Sequence, residues 1–117
     1  MNHDTVEAEL RGHGARSRRA THAGAQAFAR LLALAEERNS GQIVRIARFL
    51  AATYNGQAFP LDAFALRAVD VAISDDMLYC LDALRWSRAD LYTLVPDGDA
   101  RVRAIIERWC PPWPATD

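Results

Sequence analysis

The sequence predicts a mostly α-helical protein, a compact single-domain bundle of about five helices, with an extended segment of unsettled type near residues 57–73. Three observations carry this expectation. Apolar residues recur at i, i+3, i+4 and i+7 in four separate stretches, the spacing of one buried helical stripe. Capping and breaking residues fall between those stretches, at Asn39-Ser40-Gly41, Tyr54-Asn55-Gly56, Ser74 and Pro96-Asp97-Gly98. The composition is that of a globular chain, 50% apolar and 25% charged over 117 residues, enough for one core without a covalent staple.

Residues 1–21 read as a flexible basic tail. Gly12, Gly14 and scattered Arg and His dominate it, and Val6 and Leu10 alone offer little to anchor it. A short helix through Thr5 to Leu10 is compatible with that reading. Residues 22–114 read as a single helical domain, and 115–117 as a disordered end. The first firm helix is predicted from about Ala23 to Arg38, with Phe28, Leu31, Leu32 and Ala35 as its stripe. The second runs from about Gly41 to Thr53 and buries Ile43, Ile46, Ala47 and Leu50, leaving Arg45 and Arg48 on another face. The short connection makes these two an antiparallel pair, and Gly56 is expected to end the second in a left-handed conformation.

Residues 57–73 mix two signals. Leu61-Asp62 suits a helix start that carries Phe64, Ala65, Ala68 and Val69 inward. Val69, Val71 and Ile73 alternate as a strand would. The reading adopted is helix to about Val69, then an extended connection. Ser74 then caps a helix over Asp75–Trp86. Its first turn holds Asp75 and Asp76, and its stripe is Met77, Cys80, Leu81 and Leu84. Ser87 and Asp90 suggest a capping box for a short helix through Leu91, Tyr92 and Leu94. The last helix, about Asp99 to Trp109, buries Val102, Ile105, Ile106 and Trp109, with Arg101, Arg103, Glu107 and Arg108 mainly facing solvent. Cys110-Pro111-Pro112-Trp113-Pro114 must be extended, and Trp113 is expected to pack back on the domain.

No run approaches the ~20 apolar residues of a membrane span, and Met1 to Leu10 is too polar for a secretory signal. The expected location is the cytoplasm, with no membrane partner. The net charge of −1 conceals an asymmetry. Arg11 to Tyr54 holds eight arginines against two glutamates, whereas Asn55 to Asp99 holds eight aspartates against three arginines. Every cation is arginine, which suits bidentate contacts to carboxylate or phosphate and also fits a GC-rich genome.

No catalytic residue is nominated. There is no GxSxG, and Ser40, Ser74 and Ser87 each stand where a helix cap is wanted. His3, His13 and His22 are spaced by ten and nine, which places them on different faces of a helix, so no metal site is expected. Asp97-Gly98-Asp99 lacks the alternating ligands and closing glutamate of a calcium loop. Gly12-His13-Gly14 is no phosphate loop, and no cofactor is expected. Cys80 and Cys110 form no CxxC and bridge only if the fold brings them together.

The segments Ser74-Asp75-Asp76-Met77, Cys80-Leu81-Asp82-Ala83-Leu84-Arg85-Trp86, Asp90-Leu91-Tyr92 and Val95-Pro96-Asp97-Gly98, within Gly24 to Pro114, resemble a family of small uncharacterised proteobacterial proteins found on integrative or conjugative elements. That resemblance implies no activity and no site residue. It implies a mobile-element setting, in which some small proteins with acidic patches inhibit host defence machinery, for example by covering a nucleic-acid-binding surface. The function expected is therefore that of a non-enzymatic protein-binding module, an anti-CRISPR-like inhibitor or regulator of a host defence complex. Its partner would be met by an acidic surface of Asp75, Asp76, Asp82 and Asp90. The alternative is a nucleic-acid-binding accessory protein with a helix-turn-helix-like basic helix, using Arg16, Arg18, Arg19, Arg45 and Arg48. Homo-oligomerisation is compatible with the opposed charges of the two halves.

Overall fold

The computed structural model describes residues 3–109. The expectations for Cys110, Trp113 and residues 115–117 lie outside the described residues. Five α-helices and one 3₁₀ turn follow one another: α1 (His3–Glu37), α2 (Gly41–Tyr54), α3 (Ala65–Ala68), α4 (Val71–Trp86), the 3₁₀ turn (Leu91–Leu94) and α5 (Gly98–Trp109). Among the described residues there is no strand.

The spine is α1. Its 35 residues at ~1.5 Å rise span about 50 Å, close to the molecule's longest dimension of 54 Å. The predicted stripe is buried in full: Phe28, Leu31, Leu32 and Ala35 are each 1% exposed or less. Residues 3–22 differ from expectation, for the helix begins at His3 rather than near 23. Glu, Ala, Leu and Arg are strong helix formers and outweigh Gly12 and Gly14. The anchor that the segment itself lacks is supplied by Trp86. His13 meets the indole edge-on at 4.7 Å, Arg16 stacks over it at 4.8 Å, and the Ser17 hydroxyl donates to the Trp86 carbonyl at 3.0 Å.

α4 lies antiparallel along α1. Ser17 meets Trp86 at one end, and Arg30 binds Asp76 nearer the other. The close approach is made by small residues. A Cβ at Gly24 would overlap the Cβ of Ala83 and stand 3.0 Å from the Tyr79 carbonyl oxygen. The Cys80 thiol points at the Gly24 carbonyl, 3.9 Å away. α2 then packs Ile43, Ile46, Ala47 and Leu50 into the core as predicted, together with Phe49. α5 closes it with Val102, Ile105 and Ile106, while Trp109 is half-buried against it.

Several local expectations are corrected. α4 begins at Val71, not Asp75, because extended Val69 and Asp70 precede it. Gln42 fixes that start by accepting the Asp70 backbone N–H at 2.8 Å and donating to its carboxylate at 3.2 Å. Ser74 is therefore inside the helix, its hydroxyl bonded back to the Val71 carbonyl. Before it, helix is confined to Ala65–Ala68; Ala65 is buried, but Phe64 and Ala68 are exposed. The α4 stripe is Met77, Cys80 and Ala83, with Leu84 38% exposed. Gly56 does not take a left-handed conformation; the Asn55 carboxamide oxygen closes that turn by accepting the N–H of Gln57 and Ala58. Ser87 forms no capping box, since its hydroxyl accepts from Ala89. Arg101 is half-buried, in a bidentate pair with Glu36 that ties α5 to the end of α1.

Gly24→Ala is expected to cost about 1–3 kcal/mol in chemical denaturation through overpacking, despite alanine's better helix propensity. Ala83→Gly should be less costly in that background than in the native one. Strictly additive effects would show that the two helices are not in contact there.

Candidate functional site

A helix in a small bundle buries one face and is polar on the other. α4 departs from that rule. Val71, Asp75, Leu78 and Asp82 follow at i, i+4, i+7 and i+11 and so share one stripe, opposite the buried Met77, Cys80 and Ala83. Val71 is 74% exposed and Leu78 52%, and Tyr79 beside them is 49% exposed. Asp75 is exposed on this stripe. Asp82 is held by Arg85 Nε at 2.7 Å. The result is an outward row in which apolar and acidic side chains alternate.

The structure thus brings together two of the four aspartates expected to act jointly. Successive helical residues point ~100° apart, so Asp75 and Asp76 cannot both face outward. Asp76 turns toward α1, where Arg30 binds it bidentately through Nη2–Oδ1 at 2.8 Å and Nε–Oδ2 at 3.1 Å. That bond raises the Arg30 pKa further. Asp90 lies beyond the end of α4, at the start of the 3₁₀ turn, where its carbonyl accepts from Thr93 N–H and O–H.

The five arginines of the basic alternative are also divided. Arg16 lies over Trp86, with Arg18 and Arg19 exposed nearby on α1. Arg45 and Arg48 are exposed on α2, whose first turn contacts the opposite end of α4 through Gln42. The length of α4, 16 residues or roughly 24 Å, separates the two ends.

One polar cluster has no signal in the sequence, because Tyr54 is 45 and 49 residues from the Asp99 and Arg103 it bonds. The Tyr54 hydroxyl donates to Asp99 Oδ1 at 2.5 Å and accepts from Arg103 Nε at 2.7 Å. Asp99 and Arg103 pair at 3.2 Å, and the Tyr92 ring lies 5.0 Å from that of Tyr54. Burial, and then the Asp99 bond, raise the Tyr54 pKa. A phenol used as a base or nucleophile needs the opposite shift. The cluster instead fastens the end of α2 to α5. Asp99 is occupied there, and Asp97 takes the left-handed turn at φ 56°, so Asp97-Gly98-Asp99 works as a turn.

Among the described residues, no three His, Cys, Asp or Glu side chains converge as a metal would need, and no helix is long and apolar enough to cross a membrane. The model of a family of unknown function (DUF7673) matches residues 25–110 of the chain. No curated protein and no solved structure matches it.

Cys80 is a buried thiol whose pKa burial pushes up to about 12, with the charge of Asp76 adding to the effect. An unfolded thiol ionises near ~8.5, so between those values the folded chain retains a proton that the unfolded chain releases. Stability should therefore fall as pH rises above about 9. In a Cys110→Ser variant, Cys80 should resist an aromatic disulfide reagent at pH 8 until denaturant is added. Labelling of the native protein within seconds would refute that assignment.

Proposed function

We propose for this chain, which belongs to the DUF7673 family of unknown function, a non-enzymatic role as a protein-binding module that docks through the outer face of α4. The observation that carries the reading is the exposure of Val71, Leu78 and Tyr79 on a helix whose opposite stripe, Met77, Cys80 and Ala83, is buried. Scattered exposed apolar residues are ordinary. A row on one stripe, interleaved with Asp75 and Asp82, has the make-up of an interface centre with an acidic rim. Asp75 has no ionic partner among the described residues, so a cationic partner surface meets a free carboxylate there.

The partner suited to this face is a protein that presents apolar side chains among arginines or lysines, as a nucleic-acid-binding channel does. In the mobile-element setting that the sequence resemblance implies, such a partner is a host defence complex in the cytoplasm, and the chain acts as its inhibitor or regulator. Asp75 and Asp82 then supply the charge complementarity. Asp76 contributes by fixing α4 on α1, through its pair with Arg30.

The test compares capture of partners by the native protein with capture by Leu78→Asp and by Asp75→Arg, each checked for native helicity. Hydrogen exchange on the purified complex then locates the contact. Both substitutions should weaken capture at least tenfold, about 1.4 kcal/mol, and α4 should gain protection. Capture indifferent to both substitutions overturns the reading. A salt-sensitive gel shift abolished by Arg45→Glu/Arg48→Glu would instead select nucleic-acid binding.

A further inference from the structure

A second feature lies beside α4, away from its outward stripe. Phe49, Leu61, Leu66, Met77 and Leu81 line an apolar cleft of about 170 Å³ between α2, the segment 61–66 and α4. A smaller depression adjoins it. The two share Phe49, Leu61, Asp62 and Ala65, and the second adds Arg45 and Arg48. The apolar cleft therefore adjoins a depression lined by two arginines.

Those arginines differ from others on the molecule. Arg30, Arg101 and Arg103 are each held by a carboxylate. The side chains of Arg45 and Arg48 make no ion pair, hydrogen bond or ring contact with any described residue. Asp62 also lies on the rim, where its Oδ1 accepts the Phe64 N–H at 3.0 Å. Two cations face one anion, so the mouth keeps a net positive charge. Planar guanidinium groups match carboxylates in geometry and charge.

We infer that this cleft binds a small amphipathic carboxylate, with an apolar tail of about six carbons or one aromatic ring between α2 and α4 and its carboxylate against Arg45 and Arg48. The volume sets the size, since an apolar cavity of about 150 Å³ holds benzene. The inference is independent of the docking role of α4's outer face, because Val71, Asp75, Leu78 and Asp82 do not line the cleft.

The experiment is an NMR titration of the full-length protein with hexanoate, with hexanol and acetate as the two halves of the ligand's chemistry. Hexanoate should shift the amides of Phe49, Leu66 and Leu81 saturably, with a Kd of about 1 mM, as suits so small a ligand. Hexanol and acetate should each bind at least tenfold more weakly. Arg45→Gln/Arg48→Gln should reduce hexanoate to the level of hexanol without altering the helical circular dichroism. Leu66→Trp, which fills the cleft from a half-buried position, should remove binding of both. Equal affinity for hexanoate and hexanol overturns the inference, as does the lack of any saturable shift or hexanoate binding unchanged in the arginine variant.

Discussion

The closeness of α1 to α4 is the constraint on which the rest of the structure depends. At Gly24 there is no room for a side chain, because Ala83 and the Tyr79 carbonyl occupy the space. Close-packed interiors resist even one added methyl group. This contact fixes how far apart the two longest helices lie, and so how deep the groove between them is. α2 and α5 fill that geometry with the branched side chains of Ile43, Ile46, Val102 and Ile106. The same closeness buries the Cys80 thiol and turns its S–H toward the Gly24 carbonyl.

Around this apolar contact, polar links sit at the helix ends. Ser17 with Trp86 and Gln42 with Asp70 hold the two ends of α4. Arg101 with Glu36 and Arg103 with Asp99 and Tyr54 hold the start of α5. Individually, exposed pairs contribute little, typically ~0–1 kcal/mol. Their value is in register, since each one joins segments distant in sequence at a single relative position. The basic and acidic halves noted in the sequence are partly reconciled here, through Arg30 with Asp76. They are not fully cancelled, since Arg45 and Arg48 on one element and Asp75 on another have no ionic partner among the described residues.

The helix class and three of the four stripes were legible in the sequence because 3.6-residue periodicity reports directly which face is covered. What was not legible depended on distant partners. Residues 1–21 read as a tail because the segment carries almost no large apolar side chains; Trp86, more than sixty positions away, provides the surface against which His13, Arg16 and Ser17 settle. Ser74 read as a cap because serine favours that position, yet Gln42 places the start of α4 four residues earlier. The geometry of the candidate acidic surface was half legible. Aspartates could be counted, but separating Asp75 from Asp76 required the helix phase, which the misplaced start had obscured.

The misjudged stripe of α4 carries the physical lesson for function. Sequence reasoning sends large apolar residues inward, which put Leu84 in the core with Leu81; Leu81 does pack against it, but Leu84 is 38% exposed. A helix lying against Gly24 at backbone distance can present only small or slender side chains at the contact, here Cys80 and Ala83. The bulk encoded in Leu78, Tyr79 and Val71 is consequently left outside, where each side chain forfeits the ~25 cal/mol per Å² that burial would return. Packing alone gives no reason for that bulk, because polar residues on the outer stripe would fold as well and dissolve better. The docking role proposed for this face would supply one. The buried contact and the exposed row are thus two consequences of the same small-residue seam.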